Sequence, residues 1–361
     1  MGVIKIALTG GPSAGKTTII EEIKRYVKKH TNYNLIVIPE TATELSDNLI
    51  RPQDAKRAID FQGSVLERQV FKEQEANNII KYNEKENNLI LCDRGVMDNW
   101  AYLNSHEEFD YLLDKHGLDE INILDDYDLV IYLESTSCYD NLNYETESNE
   151  ARYEAKEEAS VLDKKTLLCW CGHRNLKIVK AKENFTDKKN EVIDILKEFI
   201  SGIRKSSFEM YEIDESSSDL TMYDDNNSIT TSEYHYYLDL NDKNGYDYVL
   251  IKRIYKENES YVFVVKKTIN KVVRIVHDKK VSQAEFLNLI AKYKIKKIIK
   301  KEVLSSIYDG FVYKIESYDD GKILVLCDEN KGIIPNNIKV SRTLDGAGCY
   351  EQNKYKSKKI G

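Results

Sequence analysis

The chain has 361 residues, of which 41% are hydrophobic and 32% charged, with a formal net charge of −8. That length exceeds what one hydrophobic core usually supports, so two domains are expected. The acid excess argues against general nucleic-acid binding, and the lack of a run of about eighteen apolar residues argues against a transmembrane segment. The sequence goes straight into a strand, so no signal peptide is expected. The six cysteines, at 92, 138, 169, 171, 327 and 349, are scattered and read as thiols of a reducing compartment, which places the chain in the cytoplasm.

The first apolar run, Val3–Leu8, reads as a short buried strand. Gly10-Gly11-Pro12-Ser13-Ala14-Gly15-Lys16-Thr17 follows and fits the G-x-x-x-x-G-K-[ST] pattern. After it, Ile19, Ile20, Ile23, Tyr26 and Val27 recur at helical spacing. Strand, glycine loop and helix together form a phosphate cradle. Gly10 and Gly15 let the backbone turn its N–H groups toward an anion, and the helix N-terminus adds its dipole. Lys16 supplies a cation for the outer phosphates, the Thr17 hydroxyl can ligate Mg²⁺, and Thr18 completes the nucleotide-binding set.

Four more apolar runs read as strands: Leu35–Ile38, Leu89–Cys92, Leu129–Leu133 and Leu176–Val179. Helical stretches separate them, including residues 54–82 and 188–204, which calls for a parallel sheet covered on both faces. The second run ends Ile38-Pro39-Glu40, so Glu40 lies at the ligand rim. It is a candidate general base for an acceptor hydroxyl, or a helix cap, or a partner for Arg94. The third run leads into Asp93-Arg94-Gly95. Asp93 can hold Mg²⁺ and Arg94 can reach a phosphate, or the two can form a strand-capping ion pair. After the fourth run, Asn149–Asp163 stands where small phosphotransferases carry a lid. Arg152 there is a candidate to neutralise charge on a transferring phosphoryl group, or the member of a surface salt bridge. Cys169-Trp170-Cys171-Gly172-His173 lacks paired metal-ligand spacing and reads as ordinary packing.

From residue 208 the alternation of helix and strand stops. Glu209–Asp225 holds seven acidic residues and no basic one, so about 214–232 is expected to be a mobile loop. Tyr248–Tyr255, Ser260–Lys267 and Val272–Val276 read as consecutive antiparallel strands. A helix over Ser282–Tyr293 follows, opened by a Ser282/Glu285 capping box, with further strands around 298–304, 311–318 and 322–327. Period-two spacing is expected to gather Lys252, Arg253, Lys266, Lys267, Arg274 and Lys301 on a cationic face suited to a polyanion, or on a solvated outer face.

The motifs Gly10–Thr17, Val37–Ala42, Phe61-Gln62, Cys92–Gly95 with Asp98 and Tyr102, and Asn149–Asp163 resemble the nicotinamide-riboside-kinase-like AAA group of P-loop proteins. The resemblance covers about residues 3–203. It implies an α/β P-loop NTPase with a parallel five-stranded sheet in the order 2-3-1-4-5. The order of elements in the second half is similar to the CYTH, or triphosphate-tunnel, fold, an α+β antiparallel barrel. That fold's paired metal-binding acids are missing: Glu209 and Glu212 have the wrong spacing, and Cys327 stands where an acid belongs. The combination resembles the TRPL translocation-defect family, which implies guanine-nucleotide and acidic-phospholipid binding and a cytoplasmic or peripheral-membrane location.

Domains are therefore expected at 1–204 and 205–361. Three functions stay open. One is Mg²⁺-dependent phosphoryl transfer from ATP or GTP to a small nucleoside-like acceptor. The second is a GTP- and phospholipid-binding switch. The third is an inorganic triphosphatase acting on a polyphosphate. No N-K-x-D equivalent occurs, so ATP and GTP are not distinguished.

Overall fold

In the computed structural model, the residues described are 2–48, 51–82, 87–138, 156–202, 204–205, 208–213, 218, 227–269, 272–328, 334–344 and 351. The chain divides into two compact units, Met1–Lys197 and Glu198–Gly361.

The first unit alternates strand and helix. In chain order it holds β1 (Gly2–Thr9), α1 (Lys16–His30), β2 (Asn34–Ile38), α2 (Thr41–Asn48), α3 (Ala58–Lys81), β3 (Asn87–Asp93) and α4 (Asp98–Ala101). Then come α5 (His106–Lys115), α6 (Glu120–Asp126), β4 (Leu129–Leu133), α7 (Lys156–Leu168), β5 (Leu176–Val179) and α8 (Phe185–Ile200). The strands form one parallel sheet in the order β2-β3-β1-β4-β5, as the resemblance implies. β1 is the central strand, flanked on both edges, and Ile6, Ala7 and Leu8 are almost wholly buried. That is why its sequence is apolar without alternation. Leu8 lies beside Asp93 in the register, so β1 and β3 deliver the glycine loop and Asp93 to the same edge of the sheet. α1 buries Ile19, Ile20, Ile23 and Val27. The Cys169–His173 segment is packing, as expected. Cys169 and Cys171 are buried and not paired in a disulfide, and Trp170 sits edge-on against Tyr127.

The second unit holds β6 (Arg204–Lys205), β7 (Phe208–Ile213), β8 (Ser228–Asp239), β9 (Tyr246–Tyr255), β10 (Asn258–Ile269) and β11 (Val272–Val281). α9 (Gln283–Lys292), β12 (Lys294–Tyr308), β13 (Phe311–Tyr318), β14 (Ile323–Asp328) and β15 (Val340–Leu344) complete it. β8 opens at Ser228, so the expected loop does not extend to residue 232; its stretches 214–217 and 219–226 lie outside the described residues. The hydrogen-bonded order is β15-β7-β14-β13-β12-β8-β9-β10-β11-β6. β6, at one end of that order, pairs with β11, while β7, next to the other end, pairs with β14 and β15; Lys205 and Phe208 are close in the chain, so the two sides of the order are brought near each other. One apolar cluster confirms a shared interior: Met210, Tyr237, Val249, Ile251, Val262, Val264, Ile299, Tyr318, Leu324 and Leu326, with Ile275 against it. The opposite face of the middle strands carries Leu238, Leu250 and Tyr261 under Phe286 of α9. Ser282 and Glu285 form the expected capping box.

Strand alternation corrects one expectation. Lys252 neighbours Arg253, and Lys266 neighbours Lys267, so neither pair can share a face. Arg253, Lys266 and Lys301 lie on the interior faces with the apolar cluster. Lys252, Lys267 and Arg274 lie on the other: Lys252 pairs with Glu259, Lys267 sits over the Tyr246 ring, and Arg274 is opposite Lys267 in the register.

Candidate functional site

The loop after β1 is built from conformations that most residues avoid. Gly10 has φ 143° and Gly15 has φ 84°. A Cβ on Gly10 would lie 2.1 Å from the Leu133 carbonyl oxygen, and one on Gly15 would lie 2.5 Å from the Phe185 ring. Ser13 has φ 56°, a left-handed value unusual outside glycine. Gly15 is also the N-cap of α1, and no side chain caps that end. The first-turn amides lie at the loop, and α1 has no acid in its first turn. Such an end favours an anion.

Loop residues are held from behind. The Gly11 amide donates to Asp163 Oδ1 at 2.7 Å, and the Ser135 amide donates to the same carboxylate at 3.3 Å. The Ser135 hydroxyl donates to the Pro12 carbonyl. Lys188 Nζ donates to the Ala14 carbonyl at 2.8 Å and to the Glu134 carbonyl at 2.7 Å. Ala14 itself is buried, while Thr17 and Thr18 are exposed at the opening turn of α1.

Four charged groups meet at the front. Lys16 is buried, and its Nζ donates to the carbonyls of Gly10 at 3.0 Å and Gly11 at 3.2 Å. Arg94, with φ 70°, donates through Nε to Glu40 Oε1 and through Nη1 to the Gly10 carbonyl at 3.2 Å. Its backbone is pinned on both sides: its N–H donates to the Leu8 carbonyl at 3.0 Å and its carbonyl accepts from Gln69 Nε2 at 3.1 Å. An uncommon backbone conformation held from two sides marks a site the fold over-determines. Glu40 also accepts from the Thr43 hydroxyl at 3.0 Å. Burial pushes the Glu40 carboxyl up, but the Arg94 and Lys16 charges and the hydrogen bonds from Arg94 and Thr43 outweigh it and hold it at about 2.

Asp93 stands apart from this pairing. Its Oδ1 is buried without a hydrogen-bond partner. Burial, reinforced by the Glu40 charge, lifts its carboxyl to about 6 against the opposing pull of Lys16 and Arg94. A buried orphan oxygen costs about 1–3 kcal/mol. A divalent cation or its water shell would satisfy it, so Asp93 fits a Mg²⁺-holding role.

Asp98, fully buried, ties the rim together. It accepts from the Thr9 hydroxyl, from the Gly95 amide at 2.6 Å and from Trp170 Nε1 at 3.2 Å. The structure thus brings together Lys16, Glu40, Asp93 and Arg94 with Gly10–Thr18. Arg152 lies outside the described residues. Sequence reasoning assigned no role to Asp163, Ser135 or Lys188. Only Asp163 lay in a quoted motif; the others act through contacts 123 and 174 residues away in the chain, which no local pattern signals.

Residues 5–188 match a protein family described as AAA domain. Among solved structures, the chain is similar to thymidylate kinase from Ehrlichia chaffeensis, at 16% identity over 54% of this chain and 100% of that one, with a TM-score of 0.36. It is similar to the PH1819 protein from Pyrococcus horikoshii at 9% identity over 35% of this chain and 78% of that one, with a TM-score of 0.26. No curated protein matches the chain.

Proposed function

The chain belongs to the AAA-domain family, and from that premise we propose that its first unit binds ATP or GTP with Mg²⁺ and transfers the terminal phosphoryl group to a small nucleoside-like acceptor. The observation that carries this reading is the buried, unpartnered Asp93 Oδ1 in the same charged cluster as Lys16. Asp93 and Thr17 would hold the ion, which when bound neutralises charge on the outer phosphates. The uncapped first turn of α1 receives the phosphate chain. Lys16 exchanges the Gly10 and Gly11 carbonyls for phosphate oxygens, which are stronger acceptors for an ammonium. Arg94 is positioned by Glu40 to meet the transferring group, and Arg152 is proposed from sequence to join it. Glu40 accepts the acceptor's proton once Arg94 turns to phosphate and the carboxyl loses the partner that keeps it so acidic.

That last condition favours a second reading. A carboxylate held at about 2 is a weak base, which suits a nucleotide switch with slow, acceptor-independent phosphate release. In either reading the second unit binds a polyphosphate or an acidic phospholipid through Arg253, Lys266 and Lys301.

Calorimetry with ATP and GTP tests the first step. Magnesium-dependent binding is expected, and Lys16→Ala is expected to weaken it about ten- to a hundredfold, the worth of a charge-assisted hydrogen bond. No magnesium-dependent heat with either nucleotide refutes the proposal. Steady-state phosphorylation of a nucleoside panel separates the readings, because a switch releases phosphate without labelling any acceptor.

A further inference from the structure

Three buried side chains stand behind the glycine loop, and each comes from a different part of the first unit. Asp163 lies in α7, Ser135 follows β4, and Lys188 lies in α8. They are 1%, 0% and 2% exposed. Each reaches loop backbone. Asp163 accepts the Gly11 N–H at 2.7 Å, Ser135 donates its hydroxyl to the Pro12 carbonyl, and Lys188 donates to the Ala14 carbonyl at 2.8 Å.

A planar trans peptide turns such a contact into a direction, because the carbonyl of one residue and the N–H of the next point opposite ways. The peptide bonds of the loop are trans. A Pro12 carbonyl drawn back by Ser135 therefore turns the Ser13 N–H away from the rear of the loop. An Ala14 carbonyl drawn back by Lys188 does the same for the Gly15 N–H. Just ahead of them, the Gly11 N–H is turned back to Asp163, and Pro12 has no N–H. Ser13 at φ 56° and Gly15 at φ 84° are left-handed, and Ala14 between them is not. Such alternation gathers N–H groups round an anion. Lys188 differs from a neutral tether in two ways. Its Nζ also donates to the Glu134 carbonyl at 2.7 Å, one residue past β4, so it fixes Ala14 to the sheet. A charged donor also polarises the peptide it binds, which makes that peptide's N–H a stronger donor. Burying an ammonium is costly unless it is hydrogen-bonded, and here the loop itself supplies an acceptor.

We propose that Lys188 is a positioning residue of the phosphate cradle: through the Ala14 carbonyl it aims and strengthens the Gly15 N–H for the phosphate chain of the nucleotide. Ser135 acts likewise on the Ser13 N–H through Pro12. This deepens, and rests on, the nucleotide-binding reading of the first unit. Lys188 works through the peptide and not by contact with phosphate, which separates its role from that of Lys16.

The test compares the full chain with Lys188→Met, which keeps the length of the side chain and loses its donors. Calorimetry with ATP and with GTP, each with Mg²⁺, reads affinity. Labelling alanine carbonyls with ¹³C and glycine amides with ¹⁵N selects two peptide bonds, Ala14–Gly15 and Ala347–Gly348. Ala347→Ser removes the second signal and so identifies the Gly15 amide. In the parent that amide proton is expected to move downfield at saturating nucleotide. In Lys188→Met the displacement at saturation is expected to shrink, and affinity to fall about tenfold, the lower range for a hydrogen bond to a charged group. Affinity and Gly15 displacement both equal to the parent's overturn the inference and leave nucleotide binding standing. Weaker binding with an unchanged displacement at saturation also overturns it, because Lys188 is then only a tether. No binding of either nucleotide by the parent overturns the nucleotide reading and the inference with it. If Lys188→Met does not melt cooperatively, Lys188→Gln, which keeps a neutral donor, takes its place and the same results decide. Failure of both variants to fold makes Lys188 a residue of the core and overturns its positioning role.

Discussion

Arg94→Ala strips Glu40 of its main partner, and the structure sets the size of the effect. The two side chains are 11% and 26% exposed. Deleting one partner of a buried ion pair costs about 3–5 kcal/mol, because the other charge stays buried. Glu40 keeps its Thr43 hydrogen bond and some access to water, so the lower end applies, about 3 kcal/mol. The titration of Glu40 gives the same order: lowering a carboxyl from 4.5 to about 2 corresponds to about 3 kcal/mol. A depressed carboxyl contributes stability that is present above 4.5 and lost as pH falls toward 2. At neutral pH the first unit of Arg94→Ala should melt about 6–12 °C below wild type, at roughly 2–4 °C per kcal/mol for a domain of this size. As pH falls from 4.5 toward 2 the gap should narrow. The left-handed backbone at residue 94 is common to both proteins and cancels. Adding Glu40→Gln should recover part of the loss, since no buried charge is then stranded. Circular dichroism melts across pH measure all of this. A neutral-pH loss under about 2 °C, or a gap unchanged at pH 3, refutes the reasoning.

Asp93, lifted to about 6 chiefly by burial, gives a second pH signature. Its neutral form would hold Mg²⁺ poorly, so magnesium-dependent nucleotide affinity should fall about fivefold between pH 6 and pH 5. The calorimetric difference between wild type and Asp93→Asn should close over the same window; a constant difference removes Asp93 from metal binding. Gly10→Ala should lower the urea midpoint by the equivalent of more than about 3 kcal/mol, because its Cβ meets the Leu133 carbonyl at 2.1 Å. Gly117→Ala, at φ 65° with open space around it, isolates the backbone strain alone and should cost about 1 kcal/mol.

What could be read from sequence follows the range of the interactions. The five parallel strands, the glycine loop and the Ser282/Glu285 cap are patterns spanning a few residues, and Leu129–Leu133 and Leu176–Val179 emerge with their expected bounds. Glu40, Asp93 and Arg94 were legible because a strand followed by an acid at the ligand edge fixes a position in space. Asp163 behind Gly11 was not assigned, because a helical aspartate looks alike whether it faces water or an amide 152 residues away. The basic strands of the second unit failed differently. Lysines and arginines at neighbouring positions look like one patch in a line of text, but a pleated strand sends Lys252 and Arg253 to opposite faces. Interior acids that neutralise Arg253 and Lys301 come from β8, β13 and Glu351, none of them adjacent in sequence.

The front of the loop is internally satisfied, and that bears on how it works. Lys16 spends its donors on Gly10 and Gly11, and Arg94 binds Gly10 and Glu40, so each cation is held by acceptors weaker or less numerous than a triphosphate offers. The Gly10 carbonyl accepts from both, so under the proposed function a triphosphate would draw the two cations off one shared acceptor. Freeing Arg94 in turn removes the charge that keeps Glu40 so acidic. Asp93 follows the opposite course: its buried Oδ1 has no hydrogen-bond partner to surrender and would gain one if an ion were held there. Phosphate binding, Arg94 movement and Glu40 basicity are therefore linked through one shared carbonyl. In Arg94→Ala only the pull of Lys16 remains to be released, so nucleotide binding should raise the Glu40 carboxyl less than it does in wild type.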